Sequence, residues 1–417
     1  MLNLCISAIS SNSGKTILTT ALLYYFRKKA RAYKIGPDFI DPQFHKFVSG
    51  DASINLDSFI MNEAQVKWIF NYYKKDINIV EGVMGFYDGE DKGCSSYSIS
   101  KLLQIPTILV LDGSGSYITL SAVLKGMLDY KQNNTIKAVV LNKLSSWAHY
   151  ELIKKQLKKD HPDILIVGWI KKDIQSLQNT HLGLDLNDLK KIEKISQDIL
   201  QYIDIKVLET LKINIDYNIP YPFDYIEKKD KHLAIVYDQN FSFLYYDNLK
   251  LFQEIYSKVT IVDSTKDHII PNDANYVYIC GGYIETTLSY NRVKNSINFR
   301  NSLIKHAKTK SIYAECAGLL YLGNYVDDKK FSGILDIDFI LCKKRVRVGY
   351  YYNCQNIKGH AFHYTKPKDI KDGFCKLSKK SNGKGEVASW SKNKVYGTYL
   401  HTMFRNNIKL LDQYFIK

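Results

Sequence analysis

A cysteine stands between an acid and a run of small residues in SIYAECAGLLYLG, residues 311–323, where an apolar strand pattern gives way to a helical one. A strand-to-helix elbow exposes its nucleophile and turns the next backbone N–H groups toward a developing oxyanion, and small neighbours let a substrate approach. Cys316 is therefore the candidate nucleophile, with Ala317 offering an N–H and the helix start expected to lower the thiol pKa. The candidate base is His401, which follows the strand-like VYGTYL. Gly281 and Gly282 of ICGGYIE are candidates to complete the oxyanion hole. Taken singly, a cysteine and a histidine of this kind read as core residues; the elbow and the paired glycines favour thiol chemistry.

A second constellation lies near the N-terminus. AISSNSGKTILTTALL follows a strand and leads into a helix, so its backbone N–H groups can face an anion at the positive helix end. Ser13 and Gly14 belong to this loop, Lys15 is placed to reach the outer phosphates of ATP, and Thr16 is placed to ligate Mg²⁺. The strict phosphate-loop pattern demands glycine at position 9, which is Ile9, so a variant loop of the dethiobiotin-synthetase-like kind is the closer form. Phosphoryl transfer also needs carboxylates that hold a metal and orient the acceptor. KIGPDFIDP supplies Lys34, Asp38 and Asp41, and INIVEGVMGFYDG supplies Glu81 and Asp88. Glu81 and Asp41 join Thr16 as candidate metal ligands; each acid alone reads equally as a cap or turn residue. Asn142, after AVVL, is a candidate for reading the adenine, with a turn role as the other reading.

The elements that must position these residues alternate along the chain. Short apolar runs and helical segments take turns through the first half, which predicts a parallel sheet with helices on both faces. From about 205 to 231 the periodicity fails and NIPYPFDYIEKKDK mixes prolines with charges. We read 1–204 as a phosphate-loop α/β domain, 205–231 as a linker and 232–417 as a second α/β domain with an antiparallel, β-rich tail. A chain of 417 residues with 45% hydrophobic residues supports two such cores. The formal charge of +16 is mostly lysine spread along the chain without a dense block, which argues against nucleic acid as a partner. The seven cysteines form no C-x-x-C pair, so neither a zinc site nor a disulfide framework is expected, and a reducing cytoplasm is the expected setting. No segment approaches the ~20 apolar residues of a membrane span, so no membrane partner is expected.

With these motifs assembled, the sequence resembles the cobyrinic acid a,c-diamide synthase family, in which an ATP-dependent amidoligase domain is joined to a class I glutamine amidotransferase domain. The resemblance runs through SGKT, KIGPDFIDP, NLD at 55–57, VEGVMGFYDG, LNK with His149, HLGL at 181–184, FSFLYYDNL, CGGYIE, AECAGLLYLG, GHAFHYT and GTYLH. It implies that Cys316 attacks the side-chain amide of L-glutamine with His401 as acid and base, releasing ammonia. It implies that ATP with Mg²⁺ phosphorylates a carboxylate of cobyrinate, which ammonia then converts to an amide, at positions a and c in turn. By the same resemblance Lys15, Thr16 and Glu81 belong to ATP and magnesium. Asp38, Asp41 and Asp88 surround the phosphoryl and acceptor groups, and His181 and Gly183 border the corrinoid. Homodimerisation is left open. The chain departs from the family pattern at Asn12, Phe39, Thr180 and Met403; the last stands where many glutaminases place a glutamate to orient the histidine. Two rival readings use the same motifs: a,c-diamidation of nickel sirohydrochlorin, and a nucleotide-switched binding protein with an inactive glutaminase domain.

Overall fold

The computed structural model describes residues 1–174, 179–180, 183–184, 189–370 and 373–415, and the chain divides into two compact units, Met1–Pro222 and Phe223–Lys417. In the first unit, strands β1 (Leu2–Ala8), β2 (Ala30–Ile35), β3 (Ser53–Leu56), β4 (Ile77–Glu81), β5 (Thr107–Asp112), β6 (Ile136–Leu144) and β7 (Leu165–Lys171) form one sheet in the order β3-β2-β4-β1-β5-β6-β7. Every pairing in it is parallel. All seven residues of β1 are buried, as a strand covered on both faces requires. The covering helices are α1 (Lys15–Phe26), α2 (Ile40–Ser49), α3 (Glu63–Tyr73), α4 (Ser96–Leu102), α5 (Thr119–Asp129), α6 (Trp147–Asp160), α7 (Leu189–Leu200) and α8 (Ile205–Glu209). Among the described residues, one apolar cluster gathers around Leu4, Leu18, Leu22 and Ile195 and another around Leu109, Leu141, Tyr150 and Trp169.

The sequence periodicity placed most of these elements but assigned none between residues 30 and 76, where β2, α2, β3 and α3 lie. There the chain is dense in prolines, aspartates and asparagines, which also serve as caps: Asn62 accepts from Gln65 N while the Gln65 side chain accepts from Asn62 N, a complete capping box on α3.

The segment read as a linker is a correction. Up to Pro222 it belongs to the first unit. Asp204 caps α8, Leu208 and Leu211 are buried in the core, and Ile213 N donates to Met1 O while Asn3 Nδ2 donates to Ile213 O at 3.2 Å. Its apolar residues are spaced for this docking rather than for an amphipathic stripe.

In the second unit a sheet runs β11-β10-β12-β13-β22-β21-β20. In chain order its strands are β10 (Lys229–Val236), β11 (Tyr256–Val262), β12 (Tyr276–Ile279), β13 (Ser311–Glu315), β20 (Gly373–Leu377), β21 (Glu386–Lys392) and β22 (Val395–Thr398). Strands β11, β10, β12, β13 and β22 pair parallel, and β21 and β20 extend the sheet through antiparallel pairings, as the β-rich tail predicted. Between β13 and β20 a smaller four-stranded sheet and a two-stranded hairpin, β17 (Arg347–Tyr352) with β18 (Lys358–His363), are inserted. Cys354 and Cys375 form a disulfide, Cα to Cα 5.4 Å, contrary to the expectation from cysteine spacing. Their 21-residue separation carries no motif, and only the approach of the β17–β18 turn to β20 brings them together. Among the described residues no helix is long and apolar enough to cross a membrane.

Candidate functional site

In an open parallel sheet, ligands gather outside the carboxyl ends of the strands where the strand order reverses. In the first unit that place is the end of β1. Asn12 adopts φ 62° and Gly14 φ 103°, so the loop after β1 makes its turn with asparagine where a glycine was absent. Gly14 is also the N-cap of α1, with no side chain capping the helix, which leaves the first amide groups of α1 to an anion. Lys15 Nζ donates to Ser10 O at 2.9 Å and to Met84 O at 2.5 Å, tying the loop to the segment after β4. Burial, reinforced by Lys34, brings the Lys15 pKa down to about 8.

The strand register brings the charged residues to one point. Lys34 pairs with Glu81 across β2 and β4, and Lys34 Nζ lies 3.1 Å from Glu81 Oε1 and 2.6 Å from Asp41 Oδ2. Thr16 Oγ1 donates to Glu81 Oε1 at 2.8 Å, and His45 Nε2 is 2.7 Å from Glu81 Oε2. Burial disfavours the Glu81 charge, but Lys34 and His45, with the Thr16 hydroxyl, outweigh it and hold the carboxyl well below the usual range. Burial likewise opposes the Lys34 ammonium, and Asp41 and Glu81 outweigh it, so Lys34 stays charged. Asp41 is pushed up by burial and by Asp38 and Glu81, despite its ion pair. Asp38 Oδ1 accepts from Ile40 N, and Asp88 Oδ2, at the exposed rim, accepts from Gly85 N at 2.7 Å.

Magnesium takes hard oxygen ligands, usually one or two carboxylates with water and phosphate completing its shell. The Thr16 hydroxyl and the Asp41 carboxylate, a fifth exposed, suit that chemistry. Glu81 differs from expectation: both of its oxygens are engaged by protein groups and it is fully buried, so it orients Thr16 and Lys34 from behind. No three His, Cys, Asp or Glu side chains among the described residues gather as a metal cage. Asn142 also differs. Its Nδ2 donates to Ser13 O at 2.8 Å and its Oδ1 accepts from Lys143 N, while a Cβ on Gly14 would overlap its amide. Buried at 4% exposure, Asn142 braces the phosphate loop from below instead of facing a base. His181 lies outside the described residues. Gly183 pairs with Thr180 in the short hairpin of β8 (Asn179–Thr180) and β9 (Gly183–Leu184), and β9 lies beside α2, the helix of Asp41.

In the second unit three neighbouring strand ends converge. β12 runs into Cys280-Gly281-Gly282, β13 into Cys316, and β22 leads to His401. Cys316 is the first residue of the elbow, at φ 45° and ψ −102°, before helix α12 (Ala317–Leu322). Such a backbone is costly for a residue with a Cβ and persists only where surrounding structure enforces it; here Cys316 N donates to Thr398 O at 2.7 Å. The Ala317 and Gly282 N–H groups both face the Cys316 sulfur. A Cβ on Gly281 would overlap His401 Cε1, so consecutive glycines touch the histidine and the thiol in turn. The expected thiol activation is corrected: burial, then Glu285, pushes the Cys316 pKa well above the ordinary thiol value, outweighing the two amides. α12 is a six-residue helix, and its dipole is too small an effect to reverse desolvation.

Glu315, the last residue of β13, places Oε2 3.5 Å from His401 Nδ1, with both side chains buried. Its oxygens also accept from Tyr278 Oη at 3.0 Å and from Thr402 N at 3.1 Å. Burial pushes Glu315 up to about 8 and His401 down to about 3.

Comparison with known proteins follows the same division. The CobB/CobQ-like glutamine amidotransferase domain matches residues 232–408. The cobyrinate a,c-diamide synthase of Fusobacterium nucleatum is 32% identical over 446 residues, covering 98% of this chain and 99% of that protein. Those of Caldanaerobacter subterraneus and Saccharolobus solfataricus are each 32% identical and each cover 97% of this chain, with 94% and 98% of their own lengths matched. The chain belongs to the cobyrinate a,c-diamide synthase family. A solved glutamine amidotransferase from Thermotoga maritima matches over 44% of this chain and 82% of its own, at TM-score 0.30 and 14% identity.

Members of this family are glutamine-dependent, amide-forming ligases. Two residues of this family member escaped the motif reading. His45 stands four residues after Asp41 on α2, a spacing that puts both on one helix face. Glu315 was hidden by its place next to the thiol: alternation along a strand sends neighbours to opposite faces, and only the adjacency of β22 shows that His401 reaches back to it.

Proposed function

We propose that the chain catalyses ATP- and glutamine-dependent amidation of the a and c carboxylates of cobyrinate. The observation that carries this reading is the presence, in one chain, of a phosphate-loop site at the ends of β1, β2 and β4 and a thiol elbow at the ends of β12, β13 and β22. The names of the full-length relatives support the corrinoid as acceptor.

In the second unit, His401 takes the Cys316 proton as the sulfur attacks the amide carbon of glutamine, and the Gly282 and Ala317 N–H groups stabilise the oxyanion. The C–N bond breaks, ammonia leaves with the proton that His401 returns, and water hydrolyses the thioester to glutamate. Glu315 holds the His401 ring, in the place that Met403 cannot fill. In the first unit, Lys15 and the N-terminus of α1 bind the outer phosphates of ATP while a carboxylate oxygen of the acceptor attacks the γ-phosphorus and ADP departs. Thr16 and Asp41 would hold Mg²⁺, which neutralises charge on the phosphates when bound. Lys34, fixed between Asp41, Glu81 and Gly82 O, holds Asp41 toward the phosphates, and Asp38 and Asp88 border the acceptor. Ammonia then attacks the acyl phosphate, phosphate leaves, and the cycle repeats at the second carboxylate.

The test is to incubate the protein with ATP, Mg²⁺, glutamine and cobyrinate and follow ADP, glutamate and the corrinoid by mass spectrometry. One and then two carboxyl-to-amide conversions, each matched by one ADP, are expected. Absence of both ADP and amide from the complete mixture would overturn the proposal, and amidation of nickel sirohydrochlorin in preference to cobyrinate would overturn the assigned acceptor.

A further inference from the structure

Glu285 ends the ICGGYIE segment, three residues beyond Gly282, and the chemistry described so far makes no use of it. It is 7% exposed, and its Oε2 has no hydrogen-bonding partner. No lysine, arginine or histidine among the described residues forms an ion pair with it; Lys329, whose charge reaches it, lies 3.7 Å from Asp328 instead. Glu285 follows by three residues the glycine whose N–H faces the Cys316 sulfur, and its charge reaches both that sulfur and the Tyr399 hydroxyl.

A buried carboxylate oxygen without a donor is a desolvation cost that the Glu285 backbone N–H and the Lys329 charge offset only in part. Where such a group sits beside a reacting centre, a ligand that carries a positive hydrogen-bond donor completes it. Glutamine carries one such group. With its side-chain carbonyl against the Gly282 and Ala317 N–H groups, the cation at the other end of the molecule needs an anionic partner, and Glu285 is the buried carboxylate beyond Gly282 that lacks a donor. We propose that Glu285 binds the α-ammonium of L-glutamine, making the pocket selective for an amino-acid amide over an amide without the charge.

This rests on the glutaminase reading of Cys316, and the test separates the two. The complete protein, with ATP and cobyrinate present, is assayed for hydrolysis of L-glutamine and of glutaramate, which carries hydrogen in place of the α-amino group. The parent is expected to prefer glutamine by roughly 10²-fold or more in kcat/KM, because a site built to pair a charged donor rejects the analogue that leaves it unpaired. In Glu285→Gln, KM for glutamine should rise on the order of 10- to 100-fold with kcat within a few-fold, and the preference over glutaramate should collapse. Glu285→Asp, which keeps the charge, should retain part of the preference. A merely structural role would lower the melting temperature and leave the ratio of the two substrates untouched. Equal turnover of both amides by the parent, or a parental ratio in Glu285→Gln, overturns the assignment of Glu285. Absence of glutamine hydrolysis in the parent overturns the reading of Cys316 itself. Equal turnover of the two amides by the parent overturns the assignment even if neither variant folds.

Discussion

The Glu315 carboxylate stands 3.5 Å from His401 Nδ1, on the residue immediately before the thiol. An acid in that position steadies the imidazolium as it forms. Glu315→Gln keeps the shape and removes the ionisable carboxyl. It should lower glutamine-driven amidation by about 10²-fold, within the usual range for disabling a general base, while ammonium-driven amidation continues. Steady-state rates with the two nitrogen sources measure this; an equal decline in both would place Glu315 in the fold alone.

The buried titratable groups of the second unit set its stability profile. Burial lowers His401 and His363 to about 3 and His306 to about 4. These groups favour the folded state above the unfolded histidine value and lose that contribution as pH falls toward 4 and 3. Burial raises Glu285 to about 7 and Glu315 to about 8; their contribution is complete below the unfolded carboxyl value and is lost as pH rises through 7 and 8. The transition of residues 223–417 in scanning calorimetry should therefore be highest near pH ~6.5 and fall toward 8. Glu315→Gln should flatten the alkaline limb; an unchanged limb would refute the raised carboxyl.

Cys316→Ala should abolish glutamine-dependent amidation and leave a rate with ammonium salts, measured by corrinoid mass. Because burial keeps the resting thiol protonated, iodoacetamide should label Cys316 at pH ~7.5 far more slowly than the partly exposed Cys342. Rapid labelling of Cys316 would show an accessible thiolate and contradict the buried elbow.

Lys15→Ala removes the ammonium that bridges Ser10 O and Met84 O. Amidation from either nitrogen source should fall by at least ~10³-fold, the scale of losing a preorganised charge in phosphoryl transfer, with some glutamine hydrolysis remaining. ADP release reports it, and unchanged release would refute the phosphate site.

Asn142→Ala tests the brace under that loop. The loss leaves Ser13 O without its buried donor, a cost of about 1–3 kcal/mol borne by the loop's geometry. The expected result is a raised KM for ATP, with a GTP-to-ATP preference that does not move. A changed base preference would restore Asn142 to the adenine.

Much of the arrangement was legible from residue order because its parts are local. The turn before α1, the acids at strand ends and the elbow at Cys316 each depend on a few consecutive residues. What local pattern could not carry were tertiary quantities. The position of Cys316 at a helix start argues for a low thiol pKa, yet desolvation by the surrounding core decides the sign. Asn142 has the right residue type at the right strand end, but Ser13 O claims it first. His45 and Glu315 matter through partners 36 and 86 residues away. Residues 205–222 looked like a tether because their apolar residues follow no helix or strand period and run into the proline- and charge-bearing NIPYPFDYIEKKDK, although Leu208 and Leu211 bury themselves in the first core.

Gly281 and Gly282 are each closed to a side chain from a different quarter: His401 stands over the first, and the Asn240 carbonyl with the Phe241 backbone stands over the second. No single shift of the main chain relieves both collisions, since movement away from one obstacle leaves the other in place. A saturation library of this unit should therefore show two adjacent positions that reject even alanine. Lineages that drift freely elsewhere in the unit have no neutral path through this dipeptide.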